Sequence, residues 1–161
     1  MNILNLGVGD QTFGTHRVDI NPTKTTTHVF DVEKGIQFPD GMFDMVYSKN
    51  LLEHLRNVGL HLDECYRVLK VGGKILITTD NAGCARYIWF GTHTGKYESK
   101  NEPNDRHYCL FTKNHLKNHF EKAGFKDLDI HYIKTDTNGK YFDTLTLGIF
   151  GQPRIEVCAV K

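Results

Sequence analysis

The 161-residue chain predicts an α/β fold with a mostly parallel central sheet, an antiparallel last strand and a shortened amino-terminal end. Three observations carry that prediction. Short apolar runs at residues 2–6, 17–20, 28–30, 43–47 and 74–78 have strand length, and several lack strict alternation, as strands covered on both faces do. An amphipathic stretch over 60–70 leads directly into the last of these runs. Finally, the first run ends in Gly7-Val8-Gly9-Asp10, after which Asp19, Asp31 and Asp44 end or open the next three. In open α/β sheets, small molecules lie outside the carboxyl ends of the strands, where a glycine turn admits close approach and an acid after the second strand can hold ribose hydroxyls. The acidic ladder therefore reads as nucleoside binding.

Leu62, Cys65, Tyr66 and Leu69 recur at helical spacing, so 60–70 is expected to be a helix stopped by Gly72-Gly73. Thr112 suits the N-cap of a second helix that carries Leu116, Phe120 and Ala123 on one face and ends at Gly124. A strand over 126–133 follows, and the alternating residues 154–160 fit the antiparallel last strand. Residues 144–150 fit either a strand or a short helix. Between 81 and 108 periodicity is lost, while Tyr87, Trp89, Phe90, His93 and Tyr97 sit among glycines and charges. Long aperiodic connections are functional or disordered, and the aromatics favour a substrate-side lid.

The length fits one domain, 1–161, with a sizeable core. A net charge of +1, from 20 basic and 19 acidic side chains spread along the chain, gives no footprint for nucleic acid or membrane. Cys65, Cys84, Cys109 and Cys158 lie far apart, without a C-x-x-C pair, and are expected as free thiols. No apolar stretch approaches membrane-spanning length and the first strand begins by residue 3, so a soluble, unsecreted, cytoplasmic protein is expected.

The pieces LNLGVGD, RVDINP, HVFDVEKGIQFPDGMFDMVYSKNLLEHL and ECYRVLKVGGKILITTDN, with RHYCLFTKNHLKNHFEKAGF downstream, cover most of residues 2–125. In this order they resemble a class I S-adenosylmethionine (SAM)-dependent methyltransferase of the type 11 group, a single Rossmann-like domain. The resemblance implies SAM as cofactor and S-adenosylhomocysteine as product. Asn5 and the Gly7 and Gly9 backbone would face the methionine part. Asp19, with Ile20 beside it, would accept both ribose hydroxyls. Asp31 and Val32 fall where the family holds the adenine amino group, and Tyr47 and Ser48 fall where the fourth strand ends beside the methionine. A carboxylate suits hydroxyl and amine donors because charge-assisted hydrogen bonds are about twice as strong as neutral ones. Asp19 equally suits the turn before Asn21-Pro22, and Asp31 a helix or turn cap.

Departures from the pattern are informative. The family loop reads acid-x-Gly-x-Gly-x-Gly, whereas Asn5 replaces the acid and Gln11 the third glycine. The G-x-G-x-x-G dinucleotide fingerprint fails at Thr12, which disfavours a nucleotide-dependent oxidoreductase. Gly9 and Asp19 are too close for the usual crossover helix, so a bare loop is expected. With no upstream helix either, apolar residues such as Leu4 and Val18 would face solvent on one side, and a homodimer would cover them.

Methyl transfer from a sulfonium is an in-line displacement whose leaving group needs no proton, so catalysis can rest on proximity and orientation. A hydroxyl acceptor also benefits from a general base, for which His107 is the first candidate, or else it caps the following helix. Asp80 and Asn81, after the fifth strand, orient the acceptor or close a turn. Glu53-His54 resembles the pair some quinone O-methyltransferases use for a divalent metal, but Asn50 replaces their first glutamate, so no metal is assigned. His115 and His119, at i, i+4, read as a solvated helix face. The expected activity is SAM-dependent methyl transfer to an O or N acceptor, a small molecule, a glycan-like compound or a protein. The alternative is a non-catalytic SAM- or nucleoside-binding protein acting through protein contacts.

Overall fold

A computed structural model describes residues 1–84, 107–133 and 154–161. Strands β1 (Ile3–Leu6), β2 (His16–Asp19), β3 (His28–Val29), β4 (Phe43–Lys49) and β5 (Leu69–Asp80) run parallel. With β6 (Lys126–Ile133) and β7 (Arg154–Val160) they form one sheet in the order β3-β2-β1-β4-β5-β7-β6. Among the described strands only β7 is reversed, antiparallel to both β5 and β6, as its alternating pattern predicts. Helix α1 (Val58–Val68) precedes β5, α2 (Lys113–Lys122) precedes β6, and 3-10 turns at Val32–Lys34 and Leu52–His54 follow β3 and β4. Residues 144–150 and nearly all of the lid-like stretch lie outside the described residues.

Strand register sorts the core. Leu4, Val46, Ile75 and Ala159 pair across β1, β4, β5 and β7 and are all fully buried. Leu62, Cys65 and Val68 of α1 and Leu116 and Phe120 of α2 belong to the same cluster, so both helices cover this face. The opposite face carries the row Tyr47, Leu76 and Cys158, which is only half-buried. The expectation that Leu4 and Val18 would be bare is therefore wrong: both are 0 % exposed. Side chains alternate along a strand, and in β2 and β4 the half-buried residues such as Arg17 and Tyr47 are on the other parity. The burial argument for a homodimer thus loses the residues it rested on.

Local chemistry sets the element ends. The Asn57 side chain accepts from Leu60 N at 3.0 Å and starts α1 two residues earlier than the periodicity indicates. The helix ends at Val68, and the chain passes straight into β5. Gly72 and Gly73 thus lie inside a strand instead of stopping a helix. Leu69 pairs with Phe43 and Lys74 with Met45, so β5 bulges between them. Gly72 sits at φ 76, and a Cβ on Gly73 would fall 2.8 Å from the Lys70 carbonyl. Thr112 Oγ1 caps α2 by accepting from His115 N. Gly124, at φ +97, lies against the Tyr66 ring of α1, and that ring meets Phe125 edge-on. Arg67 then ties α1 to the loop before β4, donating to the Phe38 and Ile36 carbonyls and to Glu64 and Asp40.

All four cysteines are unpaired, and burial raises the Cys65 thiol's pKa. No helix of the described residues is long and apolar enough to cross a membrane.

His61 sits in the α1 core, 3 % exposed, with Nε2 3.6 Å from Cys65 Sγ. Burial lowers its pKa to about 4. The fold holds the neutral ring, whereas the unfolded chain takes up a proton near 6.5, so this group's contribution is present above 6.5 and lost as pH falls towards 4. Its full size is about 3 kcal/mol. Denaturant unfolding of His61→Leu between pH 4 and 7 should show that acid dependence removed.

Candidate functional site

The glycine turn after β1 is held from several sides. Gly7 and Gly9 have φ of 67 and 50, the left-handed region that glycine enters without strain. Between them Val8 is fully buried, and its N–H donates to the Val18 carbonyl at 3.0 Å. Gly9 N donates to Asp19 Oδ2 at 2.9 Å. The Gly9 carbonyl accepts from the Thr23 and Thr25 hydroxyls, both at 2.8 Å. A Cβ on Gly9 would meet nothing within 4 Å. The turn thus presents an open face with its backbone fixed from behind.

Both structural readings of the acids are realised here. Asp19 Oδ1 accepts from Asn21 N at 3.0 Å, closing the turn before Pro22, and Asp31 Oδ1 caps the 3-10 turn by accepting from Glu33 N at 3.0 Å. Asp31 also lies 3.6 Å from Lys34. A carboxylate offers about four lone-pair sites, so these bonds leave acceptor capacity on each acid. Ile20 and Val29 are 45 % and 54 % exposed beside Asp19, an apolar shelf at the sheet edge, and Val32 begins the turn that Asp31 caps.

The remaining cofactor-side residues are arranged differently from the sequence expectation. Strand β4 runs on to Lys49, so Tyr47 and Ser48 lie within it and point to opposite faces. Tyr47 meets the Phe13 ring edge-on at 5.0 Å. Ser48 pairs with Leu6 and is buried, and its Oγ has no hydrogen-bond partner. The end of β4 is Asn50, at φ 55 with its N–H on the Thr78 carbonyl. Its Oδ1 is likewise buried without a partner. Leu51 next lies against Gly7, where a Cβ would come within 3.1 Å of it. Asn5 is fully buried and donates from Nδ2 to the Phe13 carbonyl at 3.0 Å, anchoring the loop that returns to β2.

A second cluster stands at the end of β5. Asp80 Oδ2 is 3.3 Å from His107 Nδ1, both side chains nearly buried. Glu53, 1 % exposed, accepts from Thr79 Oγ1 at 2.7 Å. Its carbonyl accepts from Tyr108 N and Cys109 N at 2.8 and 3.2 Å, which holds the chain just past His107. The His54 and His107 rings meet at 4.5 Å, nearly perpendicular. Burial, then the nearby Asp80, pushes the Glu53 carboxyl up to about 7. Asn81 closes a turn, accepting from Gly83 N at Oδ1.

Residues 6–130 match the profile of a family described as a methyltransferase domain. The chain belongs to that family. It is 31 % identical over 84 residues to a ubiquinone biosynthesis O-methyltransferase of Nitrobacter winogradskyi, covering 51 % of this chain and 32 % of that protein. It is 30 % identical over 89 residues to phosphoethanolamine N-methyltransferase 2 of Caenorhabditis elegans, covering 55 % of this chain and 18 % of that protein. The chain thus spans a third or less of the length of these relatives. A SAM-dependent methyltransferase structure from Archaeoglobus fulgidus superposes with a TM-score of 0.68 at 20 % identity, over 99 % of this chain and 86 % of that one.

Within this methyltransferase domain, ligand atoms of Glu53, His54 and His107 lie within 4.8 Å of one another. The sequence could not show that grouping, because His107 returns from far along the chain. With its carboxyl near 7 and engaged by Thr79, Glu53 is only partly anionic at neutral pH. His115 and His119 are exposed on α2, as expected. Glu53 and Asn50 were weighed only against a metal-binding pattern, so the burial of Glu53 and the strand end at Asn50-Leu51 were missed, as were the threonines behind Gly9. Asn50 had a signal, since asparagine tolerates the left-handed region, and so did the run Thr23-Lys24-Thr25-Thr26-Thr27.

The Glu53 shift has a consequence for stability. Its folded pKa lies above the usual 4.5, so its contribution is present below 4.5 and lost as pH rises through 7. Glu53→Gln should remove that loss and stabilise the protein at pH 8 relative to wild type, by at most about 3 kcal/mol. Unfolding at pH 5 and 8 checks it; an equal effect of the substitution at both would refute the shift.

Proposed function

We propose that this chain is a SAM-dependent methyltransferase that passes a methyl group to an oxygen or nitrogen of an acceptor by in-line displacement. The single observation that carries the reading is the placement, along the carboxyl edge of one sheet, of the Gly9–Asp19 clasp and the His107–Asp80 pair. The family match and the names of the O- and N-methyltransferase relatives support it. The residues fit the cofactor: SAM carries hydroxyl and amino donors, and the crevice offers the Asp19 and Asp31 carboxylates together with Asn50 Oδ1, a buried acceptor without a partner. The open side of Gly9 lets a ligand lie against the backbone.

When bound, SAM supplies a methyl carbon activated on a sulfonium. Asp19 holds the ribose, with Ile20 as the apolar shelf beside it. Asp31 and Val32 receive the adenine amino group. His107 takes the proton that a hydroxyl acceptor loses as its oxygen bonds to the methyl carbon, and Asp80 orients the ring and stabilises its cationic form. The acceptor class proposed is a small molecule reaching the edge beside Asp80 and His107.

Calorimetry with SAM and S-adenosylhomocysteine tests the cofactor. Asp19→Ala should weaken binding by roughly 1.5–3 kcal/mol, the scale of hydrogen bonds to a charged group, and Asp31→Ala similarly. Unchanged affinity in a folded Asp19→Ala protein would refute the ribose assignment. Labelled-methyl transfer against panels of phenols and amines tests the reaction. With a phenolic acceptor, His107→Ala should lower kcat by about 10²–10⁴ while leaving S-adenosylhomocysteine affinity unchanged.

A further inference from the structure

The threonines between β2 and β3 take over a task that a crossover helix performs in a full-length connection. In a β-loop-α unit the helix following the glycine turn fixes that turn by continuing its backbone hydrogen bonds. Here residues 7–15 contain no helix, and Gly9 is followed by exposed Asp10. The Gly9 carbonyl nevertheless has two donors, Thr23 Oγ1 and Thr25 Oγ1, at 2.8 Å each. Each hydroxyl has one proton to give, and the Thr23 and Thr25 hydroxyls, 3.0 Å apart, both have the Gly9 carbonyl in reach. Thr23 and Thr25 donate to Gly9. The Thr26 hydroxyl, 2.8 Å from Thr23 Oγ1, donates to it, and Thr26 Oγ1 accepts from Thr23 N at 3.2 Å. The Thr25 carbonyl and the Gly14 carbonyl are joined through Arg17, by Nε at 2.5 Å and Nη1 at 2.9 Å. Thr27 Oγ1 and the Arg17 backbone exchange bonds at 2.8 and 3.1 Å.

We propose that Thr23 and Thr25 are positioning residues for the cofactor, their hydroxyls holding the Gly9 carbonyl so that the residue keeps its left-handed conformation, with its N–H on Asp19 and its open side towards the crevice. This rests on the SAM reading given above. The logic is geometric. Gly9 has no side chain to anchor it and sits at φ 50. It is pinned at its N–H by Asp19 and at its carbonyl by the two threonines. The N–H belongs to the Val8–Gly9 peptide and the carbonyl to the Gly9–Asp10 peptide, so holding both fixes the φ and ψ of Gly9; releasing the carbonyl frees those torsions, and the residue then leaves the conformation that keeps its N–H on Asp19. The glycine backbone and the ribose carboxylate are thereby fixed as one unit from the same loop.

The test compares two double variants of the full chain. Thr23→Val with Thr25→Val removes both hydroxyls at nearly constant shape; Thr23→Ser with Thr25→Ser keeps the hydroxyls and removes the methyls. Binding of S-adenosylhomocysteine is measured by calorimetry, Gly9 amide exchange by NMR without ligand, and stability by thermal melting. The valine pair should bind about tenfold more weakly and exchange the Gly9 amide faster, with a cooperative melt close to wild type, while the serine pair matches wild type in all three. Wild-type affinity in the valine pair overturns the positioning role, as does equal weakening in both pairs, which would assign the effect to methyl packing. A wild-type chain that binds neither SAM nor S-adenosylhomocysteine overturns the cofactor reading itself, and this role with it. Should the valine pair melt without cooperativity, Thr25→Val alone, which leaves one donor, is expected to lose about threefold, and no loss overturns the proposal.

Discussion

The absence of room for a helix between β1 and β2 is the constraint on which the cofactor side of this structure depends. The connection 7–15 leaves β1 at its carboxyl end and must return the length of the strand to enter β2 in the same direction. At about 3.3–3.6 Å per residue an extended chain can span this; a helix, rising about 1.5 Å per residue, cannot do so and also turn at both ends. The bare loop has unsatisfied backbone groups and no packing stripe of its own. Each lack is made good by contacts from elsewhere: Val8 enters the core, Asn5 holds the Phe13 carbonyl, Arg17 holds Gly14, and Gly9 is clasped by Asp19 and the threonines.

That economy has an electrostatic side. Asp19 and Asp31 serve as turn and cap acceptors in the fold, so neither needs a ligand to be satisfied, yet each retains lone pairs directed by bonds already made. A carboxylate held in this way loses little freedom when further donors arrive, which is the sense in which a site is preorganised. At the other end of the crevice the balance is opposite. Ser48 Oγ and Asn50 Oδ1 are buried without partners, each leaving a desolvation cost of about 1–3 kcal/mol that a donor could relieve.

What the sequence conveyed and what it concealed follow a physical division. Strand existence was legible from apolar runs, β6 falls over the expected residues 126–133, and β7 falls where alternation placed it, because its mixed-polarity pattern is one that only one register satisfies. The loop between β1 and β2 was legible from spacing alone. The face assignment was not: in strands this short, apolar residues occur on both parities, and Leu4 and Val18 turned out to be fully buried in the core cluster. Gly72-Gly73 resembled a helix stop because the bulge that needs them is set by pairing with β4, a long-range fact. Glu53 resembled half of a metal-binding Glu-His pair, and nothing along the chain marked it as buried. Its burial comes from Thr79 and from the 107–109 backbone, which approach it only in three dimensions.

The acceptor side can be argued one step further from proton accounting. A sulfonium leaves as a neutral thioether, so the only proton to be managed is the one on the acceptor. An alcohol or phenol releases it during attack, whereas a neutral amine attacks with a free lone pair and releases its proton afterwards. In a nearly buried pocket, water is a poor sink for that proton, and His107 stands there against Asp80, with Glu53 close enough for Asp80 to shift its carboxyl. Two carboxyls so close in low dielectric resist carrying two full charges, which with burial is why the Glu53 carboxyl is pushed up to about 7. On the reading proposed above, the proton that His107 takes from a hydroxyl stays beside the Asp80 carboxylate. On that reading the pair suits an acceptor that sheds its proton during attack, as a hydroxyl does.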